Sequence, residues 1–270
     1  MNLSVVIVTY NSEKFISRCL DSLLGEREES DFEIIVVDNA SEDGTVGLID
    51  DPQIHLIRNE RNIGFARAAN QGVKAAEGEK VLFLNPDTVM KEGVIHYLSR
   101  YLENNNRVGA VGCRTEDLLG EIKPSFGHFP SLSREIAWAL GLRKLFGHAD
   151  YPHFWNQGRF YSRRAVDWVS GACLMTRKDV LEKVGFFSEE YFMYFEDIDL
   201  CRRIKDADYE VFYLGDISIV HQFGQSLSDR RQKSTYEIES LRTYFRKYHL
   251  GQVWFLAILI SLKKIFSSLK

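Results

Sequence analysis

The sequence predicts an α/β fold in which a mixed, mainly parallel sheet is flanked by helices. Short apolar runs rich in β-branched residues alternate with segments of helical periodicity, which is typical of βαβ units. The first run, Leu3–Val8, is continuously apolar, as expected for a strand that is covered on both faces. The further predicted strands are Phe32–Val37, Ile54–Ile57, Val81–Leu84 and Val108–Gly112, and the helices between them are Phe15–Leu24, Gly64–Ala76 and Val94–Leu102.

The second half of the chain has a weaker pattern. Residues Lys123–Arg164 are rich in aromatic residues, glycine, histidine and arginine, and they indicate a long irregular insertion with a short helix at Arg134–Phe146. Strands are predicted again at Val169–Thr176, Val211–Leu214 and Ser218–Val220, and helices at Lys178–Val184, in the second half of Phe192–Arg203, at Tyr236–Tyr248 and at Gln252–Lys270.

The charge of the chain is small but uneven. The formal net charge of −4 argues against a general nucleic-acid binder, which is usually basic. Residues 228–270, however, contain nine Lys or Arg and three Asp or Glu. An acidic body with a basic C-terminal segment predicts a binding partner for that segment.

The cysteines and the chain ends indicate a cytoplasmic protein. The 4 cysteines form no CxxC pair and lie in apolar or amphipathic segments, so we expect reduced core residues and not a disulfide framework or a zinc site. The N-terminus has no basic region or cleavage site typical of a signal peptide. The apolar run Val253–Ile260 is too short to span a bilayer, which takes about 20 residues.

Polar side chains follow three of the predicted strands. Thr9 and Asn11 come after the first strand, Asp38 and Asn39 after the second, and the turn Asn85-Pro86-Asp87 after Val81–Leu84. Because ligands of such sheets bind beyond the carboxyl ends of the strands, these residues predict one binding rim. No glycine-rich dinucleotide fingerprint or Walker loop is present, so bound phosphates would need a metal or scattered cations.

Asp87 and His221 form the first pair of candidates for chemistry. Asp87 suits a turn, and His221, which follows the strand Ser218–Val220, suits a core position. Together they would also suit a diphosphate-bound Mg²⁺ or Mn²⁺, since carboxylate oxygen and imidazole nitrogen both ligate such ions. The residues by themselves leave both interpretations open.

The second candidate is the acidic segment Glu196-Asp197-Ile198-Asp199. Acids at the start of a helix are often solvated and stabilised by the helix dipole. Here Phe192, Tyr194, Phe195 and Leu200 surround them, and a carboxylate in apolar surroundings can act as a general base. Asp199 would point away from Asp197 and bind or cap, whereas Asp43-Gly44 is typical of a turn.

Seven short motifs follow one another between Leu3 and Ser226. They are Val8-Thr-Tyr-Asn11, Val37-Asp-Asn-Ala-Ser41 with Asp43-Gly-Thr45, Asn62-Ile-Gly-Phe-Ala66 with Asn70, Leu84-Asn-Pro-Asp-Thr88, Ser170-Gly-Ala172, Phe195-Glu-Asp-Ile-Asp-Leu200, and His221 with Gly224 and Ser226. In this order they resemble family 2 glycosyltransferases, and the Asn-Pro-Asp and Asn-x-Gly-Phe-Ala variants look most like the rhamnosyltransferase branch.

The resemblance implies a GT-A, Rossmann-like fold and assigns roles to residues. The expected domain spans residues 1–226, with a nucleotide-sugar half at about 1–112, an acceptor half at about 113–226 and a helical extension at 227–270. By resemblance, the residues that would contact the nucleotide sugar are Thr9, Asn11, Asp38, Asn39, Asn62, Gly64, Asn70 and Asn85. The metal would be bound by Asp87 and His221. The acceptor would be contacted by Gly171, Glu196 and Asp199. Asp197 corresponds to the catalytic base, and Asn85 replaces the first acid of the family's Asp-x-Asp metal motif.

The implied function is inverting, metal-dependent transfer of a sugar from a nucleotide diphosphate donor, with dTDP-rhamnose as the expected donor. The expected acceptor is a glycan or lipid-linked saccharide of cell-surface polysaccharide synthesis.

The residues by themselves leave two alternative functions open. A non-catalytic sugar-nucleotide-binding protein would not need Asp197 and His221 together, and a nucleotidyltransferase would usually have an N-terminal loop rich in glycine and basic residues.

The C-terminal segment has two interpretations. In Gln252–Lys270 one helical face would present Phe255, Leu259, Leu262, Phe266 and Leu269. Such a helix, with Trp254 and basic residues, would suit a peripheral position at the inner membrane face. Docking of the same face on its own domain or on a partner chain is the other interpretation.

Overall fold

One mixed sheet forms the centre of the computed structural model, which describes residues 2–26, 31–139, 157–222 and 230–268. The strands are β1 (Leu3–Thr9), β2 (Phe32–Asp38), β3 (Ile54–Arg58), β4 (Lys80–Leu84), β5 (Thr88–Val89), β6 (Val108–Glu116), β7 (Ile122–Lys123), β8 (Phe126–Gly127), β9 (Arg163–Val166), β10 (Trp168–Val169), β11 (Cys173–Arg177) and β12 (Glu210–His221). The helices are α1 (Ile16–Glu26), α2 (Phe65–Ala75), α3 (Val94–Asn104), α4 (Leu132–Ala139), α5 (Gln157–Tyr161), α6 (Lys178–Val184), α7 (Glu196–Asp206), α8 (Arg230–Tyr248) and α9 (Val253–Ser268).

The strand order of the main sheet is β3-β2-β1-β4-β11-β6-β12-β5. The strands β3, β2, β1 and β4 run parallel to one another, which confirms the predicted βαβ units. Strand β11 is antiparallel to both β4 and β6, and β12 is parallel to β6. The sheet is therefore mixed and mainly parallel, as predicted.

Helices cover the sheet on both faces. Alternate residues of β1 enter opposite cores: Val5 and Ile7 pack with α1 and α3, whereas Val6 and Val8 pack with α2, α6 and α7. Every residue of β1 is consequently buried, which explains its continuously apolar sequence. The 4 cysteines are free and buried, as predicted.

A third apolar cluster holds the C-terminal helices. Tyr244 and Phe245 of α8 pack with Tyr191 and with Leu256 and Ile260 of α9. The outer side of α9 and the turn before it is also apolar, since Leu250, Trp254, Phe255 and Ile258 are exposed. Among the described residues, no helix is long and apolar enough to cross a membrane.

The structure corrects several predicted boundaries. Val211–Leu214 and Ser218–Val220 belong to one strand, β12, because a bulge after Leu214 lets its pairing with β6 resume at Ser218. The insertion Lys123–Arg164 contains the end of β7, then β8, α4 and α5, and the start of β9. The helix predicted at Arg134–Phe146 begins earlier, at Leu132, and residues 140–156 lie outside the described part of the chain. In α9, Leu256 and Ile260 pack inward and Phe255 of the predicted apolar face is exposed, while the side chains of Leu262, Phe266 and Leu269 lie outside the described part of the chain.

Candidate active site

Three polar strand ends meet at one edge of the sheet, as the sequence predicted. Thr9 lies directly beside Asp38 in the parallel pairing of β1 with β2. On the other side of β1, Ile7 lies beside Leu84, so the Asn85-Pro86-Asp87 turn leaves β4 next to Thr9. This edge is the carboxyl edge of parallel strands, where α/β folds bind their ligands.

Thr9 and Asp38 contribute unsatisfied oxygens to this edge. Thr9 Oγ1 and Asp38 Oδ1 are buried and make no hydrogen bond with any described residue. The other carboxylate oxygen of Asp38 accepts the Ser41 N–H at 3.1 Å, which fixes the side chain. Because an unsatisfied buried polar atom is costly, both oxygens are suited to hydrogen-bond a bound ligand.

The asparagines beside these residues shape the pocket wall. Asn39 Nδ2 donates to Asn62 Oδ1 at 2.9 Å, and Asn39 Oδ1 accepts the Ile63 N–H at 3.1 Å. Asn11 Oδ1 accepts the Glu42 N–H at 2.8 Å. The hydrogen bond between the side chains of Asn39 and Asn62 therefore helps to fix the loop before α2.

Asn70 is bonded in the same way to the second half of the chain. It is buried, its Nδ2 donates to Phe187 O at 2.9 Å, and its Oδ1 accepts the Phe187 N–H at 3.0 Å. Both ends of the amide are thus used by the protein. The amide of Asn70 is therefore bonded to the backbone of Phe187, in the second half of the chain.

Gly64 joins the part of the rim near Asn39 and Asn62 to the segment before α7. Its φ of +87° lies in the left-handed region, and a Cβ at this position would lie 2.7 Å from Phe192 O. The next residue, Phe65, donates its N–H to the same oxygen at 2.7 Å. Phe192 also divides two grooves of about 350 Å³ each, one against Asn62 and Arg67 and one against Tyr236 of α8.

Asp87 and His221 come together as predicted. Oδ1 of Asp87 lies 3.0 Å from Nε2 of His221, and both side chains are buried. The two atoms are at ion-pair distance, and Oδ1 accepts no aligned hydrogen bond from the described residues. Asn85 Nδ2 lies 3.5 Å from the same nitrogen.

Two backbone pairings explain this meeting. His221 is the last residue of β12 and pairs with Thr88 of β5, the short strand directly after the turn. The Gln222 N–H also donates to Asp87 O at 2.9 Å. The turn is closed by Thr88, whose hydroxyl donates to Asn85 O at 2.7 Å. Asp87 is therefore both part of a turn and aimed at His221.

Asp197 is held by backbone donors at the start of α7. Oδ2 accepts the Gly171 N–H at 2.9 Å, and Oδ1 accepts the Ile198 N–H at 2.8 Å. The neighbouring residue Ala172 accepts the Asn85 N–H at 3.2 Å. The segment Gly171–Ala172 thus connects Asp197 directly to the turn that presents Asp87.

Burial raises the pKa of Asp197, while the N–H donors of Gly171 and Ile198 act in the opposite direction. Burial also raises the pKa of Glu196 well above its ordinary value, and the nearby charges of Asp197 and Asp199 add to this shift. Two carboxyls in one poorly hydrated site are typical of acid–base chemistry.

The backbone before α7 is strained. Tyr194 and Phe195 both have φ of +68°, in the left-handed region that side-chain-bearing residues rarely adopt. Such conformations persist only where surrounding contacts enforce them, and they concentrate at functional sites. This turn directs Glu196 and Asp197 into the site.

Asp199 has a different environment from the one expected for an acceptor ligand. Its side chain has 0% exposure, and its oxygens accept hydrogen bonds from Arg203, Lys247 and Tyr248. The structure therefore gives it no open surface from which to contact an acceptor. Gly171 and Glu196 remain beside Asp197.

Comparison with known proteins identifies the family. The family model described as glycosyl transferase family 2 matches residues 4–185. The chain belongs to this family. The glycosyltransferase is 31% identical over 239 residues to the N-acetylglucosaminyl-diphospho-decaprenol L-rhamnosyltransferase of Mycobacterium tuberculosis, covering 83% of this chain and 77% of that protein. It is 28% identical over 227 residues to rhamnosyltransferase WbbL of Escherichia coli, covering 80% and 82% of the two chains.

A third relative is the dTDP-rhamnosyl transferase RfbF of Shigella flexneri, which is 29% identical over 227 residues, covering 83% of this chain and 70% of that protein. Among solved structures, the mannosyltransferase PcManGT of Pyrobaculum calidifontis, in complex with GDP-Man and Mn²⁺, matches with a TM-score of 0.62 and 20% identity, over 91% of this chain and 63% of that chain. GalNAc-T7 with UDP, GalNAc and Mn²⁺ matches with a TM-score of 0.65 and 13% identity, over 91% and 48%. These likenesses confirm the GT-A fold of the glycosyltransferase.

For several residues of the site in this glycosyltransferase, the contacts that they make were not predicted from the sequence. Ala172 and Phe192 act through backbone oxygens, which the sequence does not encode at a given position. Lys247 and Tyr248 lie 48 and 49 residues after Asp199, where the family motifs have ended. The aromatic run before Glu196 was the available signal, since Tyr191 and Phe192 both contact α8 or its apolar cluster.

Proposed function

We propose that this glycosyltransferase transfers rhamnose from dTDP-rhamnose to a glycan or lipid-linked saccharide, with inversion at the anomeric carbon and with a divalent metal. The names of the relatives from Mycobacterium tuberculosis and Shigella flexneri support the donor sugar, its nucleotide and a lipid-linked acceptor. The observation that carries the proposal is the position of Asp197, a carboxylate with a raised pKa that Gly171–Ala172 connects to the Asp87 turn.

In the proposed reaction Asp197 is the general base. Its two backbone donors fix the carboxylate, so one oxygen lone pair can face the acceptor hydroxyl. As the acceptor oxygen bonds to the anomeric carbon, its proton passes to Asp197 and the bond from that carbon to the diphosphate oxygen breaks. A single displacement of this kind inverts the anomeric configuration. A positioned base typically contributes about 10²–10⁴-fold to the rate.

The donor nucleoside would bind along the edge formed by Thr9, Asn11 and Asp38. The buried Oδ1 of Asp38 can accept from a base or ribose donor, and the Thr9 hydroxyl can donate or accept. Asn39, Asn62 and Gly64 would form the wall of this pocket, and Asn85 would lie at its floor near the diphosphate. Asn70 would support this wall through its hydrogen bonds to Phe187.

Asp87 and His221 fit a divalent metal. A buried carboxylate oxygen without a hydrogen bond, 3.0 Å from an imidazole nitrogen, is a donor set that suits Mn²⁺. Among the described residues no group of three or more His, Cys, Asp or Glu could hold an ion, so the donor diphosphate would complete the ligands. Such a metal, when bound, stabilises negative charge on the departing diphosphate.

The apolar outer side of α9 supports contact with a membrane surface. Leu250, Trp254 and Ile258 follow one another at four-residue intervals and are exposed, while Leu256 and Ile260 pack inward. A helix that is apolar on both sides needs a second apolar environment. Basic residues predominate in 228–270, which favours an anionic lipid surface, and that position would bring the site to a lipid-linked acceptor.

The experiment that tests the proposal is a screen of nucleotide sugars with Mg²⁺ or Mn²⁺ and a lipid-linked saccharide. We expect dTDP-rhamnose to give the highest rate and a nucleoside diphosphate as product. Pyrophosphate as product would indicate a nucleotidyltransferase instead. Binding of the donor without turnover would indicate a non-catalytic binding protein.

A further inference from the structure

Asp199 lies at the centre of a buried ionic cluster between α7 and α8. Its Oδ2 accepts from Arg203 Nε at 2.8 Å, and its Oδ1 accepts from Lys247 Nζ at 2.7 Å and from the Tyr248 hydroxyl at 2.8 Å. The Tyr191 hydroxyl lies 3.4 Å from the same oxygen. We call Asp199, Arg203, Lys247, Tyr248 and Tyr191 the Asp199 cluster.

The cluster makes α7 depend on α8. A carboxylate without solvent exposure is stable in the ionised form only if charged or polar donors surround it. Arg203 comes from α7 itself, but Lys247 and Tyr248 come from α8. Arg203 also donates to the carbonyls of Val184, Gly185 and Phe186, which fixes α7 against the segment after α6.

The strained turn before α7 is held by the same helix. The Ser240 hydroxyl of α8 donates to Met193 O at 2.8 Å, and the Tyr236 ring stacks on Phe192 with centroids 5.0 Å apart. Phe195 contacts Tyr244, with ring centroids 6.1 Å apart. The α8 residues in these contacts are four apart, so one face of α8 lines the whole turn that leads to Asp197.

We propose that Asp199 is a positioning residue, through which α8 holds the left-handed turn at Tyr194 and Phe195 and thereby the carboxylate of Asp197. This inference rests on the proposed role of Asp197 as the base. It assigns Asp199 to the coupling of the C-terminal extension with the catalytic helix and not to the acceptor. A small displacement of Asp197 would slow the reaction strongly while the donor pocket on β1 and β2 stays intact.

The test compares Asp199→Asn and Lys247→Met with Asp206→Asn. Asp206 is a matched control, since it forms an i,i+4 pair with Arg202 on the same helix but is exposed. We expect Lys247→Met and Asp199→Asn to lower kcat by about 10- to 100-fold per folded molecule, with the KM for donor within about twofold of the wild type. Asp206→Asn should match the wild type in both.

Hydrogen exchange provides a second readout that does not depend on turnover. In Lys247→Met the amides of residues 191–198 should exchange faster than in the wild type, and in Asp206→Asn they should not. Lys247→Met keeps Asp199 and Arg203 and so tests the idea if Asp199→Asn does not fold. Unchanged kcat and unchanged exchange in Lys247→Met would overturn the proposal, and so would a raised acceptor KM at wild-type kcat.

These outcomes are distinct from failure of the proposed function. If the wild type releases no nucleoside diphosphate from any nucleotide sugar, the proposed reaction is wrong. The exchange measurement would still show whether α8 holds the turn before Asp197. If the wild type is active and Lys247→Met is equally active and equally protected, only the positioning role is wrong.

Discussion

Gly171 donates its backbone N–H to Oδ2 of Asp197 at 2.9 Å, and Ala172 accepts the N–H of Asn85 at 3.2 Å. Two adjacent residues thus join the start of α7 to the turn that carries Asp87. These two hydrogen bonds explain the family motif around Ser170, because Gly171 and Ala172 set the distance between Asp197 and the turn that carries Asp87.

The raised pKa of Glu196 indicates that this carboxyl destabilises the fold when it is ionised. Burial and the charges of Asp197 and Asp199 raise the pKa of Glu196, so the native state binds its proton more tightly than the unfolded state. The stability of the wild type should therefore fall as pH rises through the native pKa of Glu196. Glu196→Gln removes this cost, and we expect it to raise the free energy of unfolding at pH 7 by about 1 kcal/mol or more.

Denaturant unfolding of Glu196→Gln at pH 5 and pH 7 checks this prediction. The gain should be larger at pH 7 than at pH 5. Glu182→Gln on the exposed side of α6 is the control and should change stability little at either pH. A variant less stable than the wild type at pH 7 would show that Glu196 is satisfied by contacts that offset its burial.

Gly64 predicts a coupling between the loop before α2 and Phe192. Gly64→Ala places a Cβ 2.7 Å from Phe192 O and also strains a residue with φ of +87°. Gly93→Ala is a matched control, because Gly93 has φ of +75° but a Cβ there would have no neighbour within 4 Å. Gly93→Ala should lose about 1 kcal/mol of stability to backbone strain, and Gly64→Ala should lose more, because Gly64 combines its positive φ with a ψ of 162°, a conformation that essentially only glycine adopts.

Only Gly64→Ala should also impair donor binding. We expect the KM for dTDP-rhamnose to rise by about tenfold, since the hydrogen bond from Phe65 to Phe192 O would be displaced. Steady-state kinetics of both variants gives the comparison. Equal KM values for dTDP-rhamnose in Gly64→Ala and Gly93→Ala would show that the contact with Phe192 does not affect donor binding.

The two-residue donor set at Asp87 predicts that metal binds weakly before the donor. Electron paramagnetic resonance measures the concentration of free Mn²⁺ and so gives the affinity of the protein for the ion. We expect this affinity to rise at least about tenfold when dTDP is added. Asp87→Asn and His221→Ala should reduce this gain, whereas His96→Ala, an exposed histidine of α3, should leave it unchanged. Tight Mn²⁺ binding without dTDP would mean that further ligands from the chain complete the site.

The exposed apolar side of α9 predicts binding to anionic membranes. Trp254→Ser combined with Ile258→Ser should abolish flotation with vesicles that contain anionic lipid, because both side chains are exposed and outside the apolar cluster of α8. Leu119→Ser, at an exposed position in the turn between β6 and β7, is the control.

Turnover with a water-soluble acceptor should be unchanged in the double variant. If flotation is unchanged but light scattering shows loss of a dimer, the surface binds a second chain and not a membrane. Loss of the folded state on double substitution would show that Trp254 contributes to the inward packing of α9.

The part of the site on β1, β2 and β4 was predictable because the sequence patterns that indicate it are local. A buried parallel strand has a continuously apolar sequence, and its polar end follows at once, as at Thr9, Asp38 and Asn85. Neighbouring parallel strands then bring those ends together without any further information. The local sequence therefore indicated that Asp87 lies at the rim, whereas its pairing with His221 was implied only by the family resemblance.

The rest of the site depends on pairings that are distant in the chain. The two-residue strand β5 is too short to give a pattern, yet its pairing with the end of β12 brings His221 to Asp87. Asp199 was expected near the acceptor because it shares a motif with Asp197. Its partners are Arg203 on the same helix and Lys247 and Tyr248 on α8, and no local periodicity indicates that Lys247 pairs with a buried carboxylate of another helix.

The role of Asp197 as the general base can be tested by one measurement. Nucleoside diphosphate release from dTDP-rhamnose, in the presence of Mn²⁺ and a lipid-linked saccharide, should be measured for the wild type and for Asp197→Asn from pH 5 to pH 9. The wild-type rate should fall at the acidic end, as the base with its raised pKa takes up a proton. Asp197→Asn should fold normally and be slower by about 10²–10⁴-fold across the range. Wild-type turnover in Asp197→Asn would show that Asp197 is not the general base.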